Sequence, residues 1–253
     1  EIDFQYTEGL EAADRIMTFK MAAKTIAKRH GLHATFMPKP KSGINGSGMH
    51  INMSMRKDGI NIFHDSKDPA GLSKEAYWFI GGLMKHMKAI CFITNPVVNS
   101  YKRLVPGGEA PVQISWARNN RSALVRIPGY KPDKEEACRV ELRSPDSAAN
   151  PYLAFSAVLA AGLKGIEEEL ELCPPMEEDF ARGLSRQELR ARGFESLPDT
   201  LGEAVELFAE SELMKEVLGE HIHSFLVKVK REEWNEYQRQ VSNWELDRYL
   251  GVL

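Results

Sequence analysis

Side chains that can bind metal ions and anions recur at every second position in two short segments of the sequence. They are His50, Asn52 and Ser54 in the first segment and Arg139, Glu141 and Arg143 in the second. Because side chains two residues apart on a β-strand point to the same face, each segment predicts a strand with one polar and one apolar face. An imidazole and a carboxylate without thiolates suit Mg²⁺ or Mn²⁺, and guanidinium groups suit carboxylates and phosphates.

Each polar face also has a purely structural interpretation. The polar residues of the first segment also fit the solvent-exposed side of an antiparallel sheet. The charged residues of the second segment also fit a row of ion pairs on the protein surface. Residues 39–48, directly before the first segment, favour ligand binding because they carry three glycines within six residues and two lysines. Glycine lets backbone N–H groups approach a phosphate or carboxylate closely. The stretch is not a Walker motif, since no Gly-Lys-Ser/Thr opens a helix.

The candidate metal ligands are one histidine and two glutamates. By residue type, His50 and Glu141 are the first candidates, and Glu1 is the third. The other histidines flank a helix end, lie in a polar loop or fall on helical stretches, and we interpret them as structural. They are His30, His33, His64, His86, His221 and His223.

Helices and strands around these segments must hold them against a core. Spacings of three and four residues predict helices over residues 10–30, 74–90, 150–169, 201–209 and 221–241, followed by a short helix opened by Ser242 and Glu245. Alternation predicts strands over residues 33–37, 50–55, 112–116, 123–127 and 138–142. We expect Pro198-Asp199 to cap the helix at 201, and Gly81-Gly82 to allow close helix packing. Strands before residue 145 and helices after it favour an α+β fold over a doubly wound α/β fold.

Composition excludes several classes of protein. The chain has 253 residues, 43% hydrophobic and 27% charged, so it can bury a core and is not wholly disordered. A net charge of −3 indicates no nucleic-acid or membrane partner. The sum conceals nine basic and five acidic residues from Lys102 to Arg143, against ten basic and seventeen acidic residues from Met176 onward. Three cysteines without a CxxC pair exclude a disulfide framework and favour a reducing, cytoplasmic compartment.

Four motifs, in this order along the chain, resemble those of a known family. They are KPKSGINGSGMHINMS at 39–54, NPVVNSYKRLVPGGEAP at 95–111, NRSALVRIP at 120–128 and RVELRSPDSAANPYL at 139–153. Together they resemble the catalytic, carboxy-terminal domain of type I glutamine synthetase, along the whole chain but more loosely after Cys173. The resemblance implies an α+β fold in which an antiparallel β-sheet carries the active site. It also implies a strand-rich core over 1–175 and an acidic helical part over 176–253.

The reaction implied by the resemblance is a two-step ligation. ATP phosphorylates the γ-carboxylate of glutamate, and ammonia then displaces phosphate, giving glutamine, ADP and phosphate. Two to three Mg²⁺ or Mn²⁺ ions accompany ATP. Phosphoryl transfer depends on positioning and charge neutralisation, which arginines beside a carboxylate and a histidine provide.

Position within the matching motifs gives each candidate residue a role in that reaction. The metal ligands are Glu1, His50 and Glu141; the ATP contacts are Phe4, Gln5, Tyr6, Asn52, Ser54, Arg121, Arg126 and Arg139; and the glutamate contacts are Asn45, Gly46, Arg103, Glu109 and Arg143. The catalytic residues are Arg121, Glu109 and Arg143. Arg121 steadies the phosphoryl group, while Glu109 closes the site over the acyl phosphate and helps to deprotonate ammonium.

The sequence departs from the family pattern in two respects. The chain starts at Glu1 without the family's amino-terminal β-grasp domain, which supplies further metal carboxylates and the ammonium-binding aspartate, so we expect this fragment to be inactive alone. No tyrosine lies between Tyr152 and Tyr237, and Ala181 takes the approximate place of the adenylylated tyrosine. This predicts the subtype controlled by feedback inhibition and regulatory protein partners. We expect the full-length protein to be a homododecamer.

Two alternative functions stay open. Relatives with this catalytic domain join glutamate to amines or polyamines instead of ammonia, and the ATP and metal residues do not distinguish them. Other relatives have lost catalysis and serve as structural or regulatory proteins. That descent predicts lost charges at Arg121, Arg143, Glu109 or Glu141, and all four charges are intact.

Overall fold

The computed structural model describes residues 1–131, 133–177, 186–191 and 194–253. The helices are α1 (Gly9–Arg29), α2 (Lys74–Thr94), α3 (Pro151–Glu167), α4 (Arg186–Ala191), α5 (Leu201–Ala209), α6 (Glu212–Gln238) and α7 (Asn243–Tyr249). The strands are β1 (Ile51–Met53), β2 (Arg56–Lys57), β3 (Ile60–Asn61), β4 (Trp116–Ala117), β5 (Val125–Arg126) and β6 (Val140–Leu142). Short 3₁₀ helices span Val98–Lys102 and Glu135–Ala137. The Ala181 position lies outside the described residues.

The two polar segments of the sequence form adjacent strands of one sheet. This four-stranded sheet has the order β1-β6-β5-β4, and β2 and β3 form a separate pair. β6 is antiparallel to both of its neighbours, and Glu141 lies opposite Asn52 on one side and Arg126 on the other. Val140 and Leu142 point the other way and are fully buried in the core. The mixture of helices with a small, mainly antiparallel sheet confirms the predicted α+β class.

One pair in this sheet, β4 with β5, is parallel. The reason lies in the chain just after β4, where residues from a distant segment hold the backbone. The Glu177 carboxylate accepts hydrogen bonds from the N–H groups of Arg118 and Asn119 at 2.9 and 3.1 Å, and the Asn120 side chain donates to the Met176 carbonyl at 3.0 Å. Residues 118–124 therefore form a wide loop, and the chain enters β5 in the same direction as β4.

The strand predicted over residues 33–37 was wrong, because the structure has no strand there. Side chains bind the backbone groups that a strand partner would need. The Thr35 hydroxyl accepts from the N–H of Met37 at 3.1 Å, and the Ser147 hydroxyl donates to the carbonyl of Phe36 at 2.8 Å. Such side-chain bonds compete with pairing in a sheet.

The predicted helices are present, with differences at some ends. Asn150 caps α3, and Ser242 and Glu245 form the predicted capping box of α7. Thr200, rather than Pro198-Asp199, caps α5, because its hydroxyl accepts from the N–H of Glu203. α6 begins at Glu212, nine residues before the predicted start, and kinks at Gly219, where φ is +73°. The described helices include none with the length and apolarity needed to cross a bilayer.

Helices α2 and α3 cross at glycines, as the Gly81-Gly82 pair predicts. A Cβ atom on Gly82 would clash with the carbonyl oxygen of Ala161 and lie 2.8 Å from the Cα of Gly165. A Cβ atom on Gly81 would lie 2.6 Å from the carbonyl oxygen of Leu170. The two backbones therefore approach more closely than any other residue type allows.

We expect Gly82→Ala to lower the free energy of unfolding by about 2 to 3 kcal/mol, because a backbone carbonyl cannot move aside as a flexible side chain can. Gly9→Ala is the matched control, since no heavy atom lies within 4 Å of a Cβ built there. It should be neutral or stabilising by about 0.5 kcal/mol. Urea unfolding of the two variants measures the difference, and equal stabilities would contradict the packing argument.

Candidate active site

The carboxylate of Glu141 lies at the centre of the polar face of the sheet. One oxygen, Oε1, is 3.3 Å from Nδ1 of His50 and 3.1 Å from Nη1 of Arg143. The other, Oε2, is 3.2 Å from Nη1 of Arg126. Glu141 is only 6% exposed. Arg126 and Arg143 therefore pair with a buried carboxylate and do not form a surface ladder of ion pairs, whereas His50 and Asn52 at the neighbouring strand are exposed.

The surroundings of Glu141 hold it in the ionised form. Burial by itself raises the pKa of a carboxyl group, but the hydrogen bond from His50 and the charges of Arg143, His50 and Arg126 outweigh it. The pKa of Glu141 falls from 4.5 to about 2. This carboxylate is therefore available as a ligand for a cation over the whole physiological pH range.

The lowered pKa of Glu141 predicts how the stability of the metal-free chain depends on pH. Since the folded state binds this proton more weakly than the unfolded state, the stabilisation is complete above pH 4.5 and is lost as pH falls towards 2. A shift of this size corresponds to about 3 kcal/mol of unfolding free energy. Urea unfolding of the wild type and Glu141→Gln from pH 7 to 2.5 isolates this contribution. The stability gap should narrow in acid, and a constant gap would contradict the assignment.

Two guanidinium groups beside Glu141 keep unused hydrogen-bond donors. The Nε atoms of Arg126 and Arg143 are buried and have no hydrogen-bond partner among the described residues. A buried donor without an acceptor is costly, so such donors in a site indicate an acceptor supplied from outside the chain. Oxygen atoms of a phosphate or a carboxylate match these donors in geometry and charge.

Other predicted nucleotide contacts lie on or beside the same face. Nε of Arg139 donates to Oδ1 of Asn52 at 3.1 Å, which links β6 to β1 above the core. Ser54 is half-buried just beyond the end of β1. The contacts of Asn52 with Arg139 and of His50 with Glu141 place these four residues on one face, as alternation predicts.

Arg103 is the only predicted glutamate contact, among those the structure describes, that is classed as buried, with 8% of its surface exposed. Its Nη1 donates to the carbonyl of Ser144 at 2.6 Å, and its Nη2 lies 3.4 Å from the carbonyl of Arg143. The glycine loop, residues 43–48, packs directly on this side chain. A Cβ atom on Gly46 would clash with the carbonyl oxygen of Pro38, which requires glycine there, and it would also lie 3.3 Å from the Arg103 side chain. A Cβ atom on Gly48 would lie 2.6 Å from Nη2 of Arg103, so any larger residue at 48 would displace the guanidinium.

The remaining predicted site residues are exposed and lie outside this buried cluster. They are Glu1, Phe4, Gln5, Tyr6, Asn45, Glu109 and Arg121. Phe4 packs edge-on against Phe19 at 5.3 Å between ring centroids, and the guanidinium of Arg56 lies 5.6 Å from the ring centre of Tyr6. The roles of these exposed residues stay predictions.

Two of the metal ligands predicted from sequence are of a chemical type that binds divalent cations. His50 and Glu141 offer an imidazole and an ionised carboxylate at 3.3 Å from each other. Within the described part of the chain, no group of three or more histidine, cysteine or acidic side chains is arranged to hold a metal. Mg²⁺ is commonly bound by one or two protein ligands together with water and substrate phosphates. The pair is sufficient for that type of site, and the role of Glu1 stays a prediction.

Sequence reasoning missed a buried polar network beneath Arg103. Its members are Asn95, Ser100, Ser144 and Asp146, all 0% exposed. The motifs contain these residues, but nothing in their spacing shows that an aspartate after a strand end is buried. These polar side chains lie in the core directly beside the candidate site. They indicate that hydrogen bonds, and not apolar packing alone, hold the backbone that supports Arg103.

Comparison with known proteins adds independent information. A family model described as "Glutamine synthetase, catalytic domain" matches residues 1–249. Glutamine synthetase of Clostridium saccharobutylicum is 52% identical over 252 residues, which cover 99% of this chain and 56% of that protein. The enzyme of Thermotoga maritima is 51% identical with the same coverage. The chain thus spans a little over half the length of these relatives.

Solved structures also resemble the chain closely. One described as "GmaS/ADP complex-Conformation 1" is 40% identical, with a TM-score of 0.87, and covers 98% of this chain and 56% of that one. Another, described as "Apo GmaS without ligand", is also 40% identical and has a TM-score of 0.83, with coverage of 97% and 55%. Both the sequence and the fold are therefore shared with these proteins.

Proposed function

This chain belongs to the glutamine synthetase family, and from that premise we propose that it provides the ATP and glutamate sites of a glutamate–ammonia ligase. The full-length protein activates glutamate as γ-glutamyl phosphate and transfers the glutamyl group to ammonia, giving glutamine, ADP and phosphate. The observation that carries the proposal is the buried carboxylate of Glu141, bound by His50, Arg126 and Arg143 on one sheet face.

The polar face binds the nucleotide in this proposal. Asn52 and Ser54 contact the nucleoside, while Arg126 and Arg139 bind phosphate oxygens. The unused Nε–H of Arg126 gives one such oxygen a buried donor. His50 and Glu141 would hold Mg²⁺ or Mn²⁺, which supplies charge neutralisation to the phosphates when bound. The exposed segment around Phe4, Gln5 and Tyr6 lines the adenine.

Glutamate lies next to the nucleotide, against the glycine loop. Arg103 binds a carboxylate of glutamate from below, while Asn45 and Gly46 contact the substrate from the loop. Arg143 binds the γ-carboxylate and its phosphate, with its unused Nε–H as an additional donor. Arg143 also contacts Glu141 at 3.1 Å. The residue that binds the γ-carboxylate and the proposed metal ligand are therefore held next to each other.

Two exposed residues complete the chemistry. Arg121 neutralises charge that builds on the phosphoryl group during transfer. Glu109 closes over the site and removes a proton from ammonium, so that neutral ammonia attacks the acyl phosphate. Glu109 lies in an exposed segment with a left-handed backbone at Gly107, where φ is +78°. Closure is necessary because water would hydrolyse the acyl phosphate.

The test of this function is a trapping experiment with the full-length protein. Hydroxylamine captures γ-glutamyl phosphate as a stable hydroxamate, so we expect hydroxamate formation that requires ATP, glutamate and Mg²⁺ or Mn²⁺. In the presence of ammonia, glutamine should form with one phosphate released for each molecule. Phosphate release without any γ-glutamyl product would contradict the proposal.

A second candidate acceptor is an alkylamine. The solved structures that resemble this chain are of GmaS, a glutamylmethylamide synthetase. The two reactions share the acyl-phosphate step, and they differ only in the nucleophile that follows. Comparison of kcat/KM for ammonia, methylamine, ethylamine and putrescine separates them. A preference for ammonia supports the first candidate, and a preference for an amine supports the second.

We also propose that the full-length protein assembles as a homododecamer. Large apolar side chains are exposed at both ends of this chain, which is typical of surfaces that another subunit or domain covers. They include Ile2, Leu10, Met21, Trp244, Leu250 and Val252. The mass of the assembly in solution tests this proposal. Feedback inhibitors and regulatory proteins are the partners to be tested on that assembly.

A further inference from the structure

We propose that Asp146 is a positioning residue for the amino-acid substrate, because it fixes Arg103 and the glycine loop from beneath the site. The inference rests on the proposed function, since it concerns how glutamate is bound. Asp146 touches none of the groups expected to react. It acts through the neighbouring backbone and through Arg103.

The carboxylate of Asp146 is fully enclosed and hydrogen-bonded on both sides. Oδ1 accepts from the N–H of Ala148 at 2.9 Å, and Oδ2 accepts from the Asn95 side chain at 3.0 Å. The hydroxyl of Ser100 also hydrogen-bonds this carboxylate. Three segments of the chain therefore meet at one buried side chain: the end of α2, the 3₁₀ helix before Arg103, and the turn that follows β6.

The same network reaches Arg103 through a shared carbonyl. The Asn95 side chain that binds Asp146 also donates to the carbonyl of Ser144 at 2.9 Å. That carbonyl accepts a second hydrogen bond, from Nη1 of Arg103 at 2.6 Å. Asn95 thus links Asp146 to the carbonyl that also holds Arg103, and a movement of this backbone segment displaces the guanidinium.

The backbone of Asp146 also anchors the glycine loop. Asp146 and Gly48 form an antiparallel bridge, and the N–H of Met49 donates to the carbonyl of Pro145 at 2.9 Å. Gly48 lies directly on the Arg103 guanidinium. The loop and the arginine therefore share one support, and together they form the part of the site assigned to glutamate.

The charge of Asp146 matches this role. Burial lowers the pKa of the Arg103 guanidinium, while the negative charge of Asp146 opposes that shift and the positive charge of Arg143 reinforces it. Burial likewise raises the pKa of Asp146, against the hydrogen bonds from Ser100 and Asn95 and the charge of Arg103. The two buried charges thus favour each other's ionised forms beside an otherwise cationic site.

Asp146→Asn in the full-length protein tests the proposal. The substitution keeps the side-chain size but removes the charge, and the new NH₂ group must face either the Asn95 amide or the Ala148 N–H, donor against donor. We expect KM for glutamate to rise about 10- to 100-fold, because a small displacement of a positioning group is enough for such a loss. KM for ATP should stay within about twofold, since the phosphate contacts Arg126 and Arg139 are hydrogen-bonded to Glu141 and Asn52 on the sheet face.

Ser73→Ala is the control for a general loss of stability. Its hydroxyl caps α2 and donates to the carbonyl of Ile62, away from Arg103. It should lower stability and leave both KM values unchanged. If Asp146→Asn raises both KM values equally, or changes stability alone, the positioning role is wrong. If the wild type forms no γ-glutamyl product, the proposed function fails and this inference fails with it.

A milder variant keeps the inference testable if Asp146→Asn does not fold. Ser100→Ala removes the hydroxyl that hydrogen-bonds the Asp146 carboxylate and that accepts from the N–H of Val97 at 3.3 Å, and it leaves the charge of Asp146 in place. We expect KM for glutamate to rise about threefold, in line with the loss of one of the hydrogen bonds that hold the carboxylate, without a change in KM for ATP. An unchanged KM for glutamate in this folded variant would overturn the proposal.

Discussion

Replacing Arg121 by alanine in the full-length protein should lower kcat by about 10²- to 10³-fold, the range seen when one group that stabilises transition-state charge is removed. The residue is exposed, so its loss should change the free energy of unfolding by no more than about 0.5 kcal/mol. A large kinetic effect without a structural effect distinguishes a catalytic arginine from a solvated one. Steady-state kinetics and urea unfolding of the same preparation measure both quantities.

Arg118→Ala is the matched control for this experiment. Arg118 is exposed in the same loop, and its charge acts on Tyr77 and Tyr130. It should retain kcat within about twofold, as surface substitutions away from a site usually do. Near-normal turnover in Arg121→Ala, or an equal loss in both variants, would remove Arg121 from the catalytic residues.

Glu141→Gln should weaken binding of Mn²⁺ and of the nucleotide together, each by about 100-fold, at the upper end of what loss of a supporting group costs a metal site. The change keeps the shape of the side chain and removes its charge. Arg126, Arg143 and His50 then face one another without a counter-charge, so we also expect a loss of about 3 kcal/mol in stability. Titration calorimetry with Mn²⁺ alone, and then with ATP and Mn²⁺, measures the two affinities.

Glu136→Gln serves as the control, because this glutamate is exposed and its contact with Lys134 is a surface ion pair at 3.9 Å. It should change neither affinity, since exposed pairs contribute about 1 kcal/mol or less to stability. If Glu141→Gln lost stability but bound Mn²⁺ as tightly as the wild type, Glu141 would be an ion-pair partner of the arginines and not a metal ligand.

Alternation predicted the two strands that form the polar face. Residues at every second position must share a face wherever the backbone is extended, and in the structure Val140 and Leu142 are both buried in the core while Glu141 between them faces His50. The same reasoning failed for residues 33–37, where Thr35 and Ser147 bind the backbone instead of a partner strand. The Ser147 bond comes from a distant part of the chain, and a local pattern does not show such a bond.

Helix predictions succeeded where local chemistry sets the ends. Asn150 before a proline and Ser242 with Glu245 are signals confined to a single turn, and both cap the helices they predict. The start of α6 was missed because Gly219 adopts a left-handed conformation inside a segment that continues as a helix on both sides. A glycine of this kind looks like a helix end in sequence.

The sequence by itself determined which residue types carry the chemistry and which of them share a strand, because both follow from side-chain identity and from the period of the backbone. Its ordered motifs also identified the family. Only the tertiary structure decided that Glu141 is buried between His50, Arg126 and Arg143, and that Asp146 lies under Arg103. Burial and charge pairing depend on which distant segments pack together, and residues far apart along the chain set that packing. The lowered pKa of Glu141 and the support of the glycine loop are consequences of that packing.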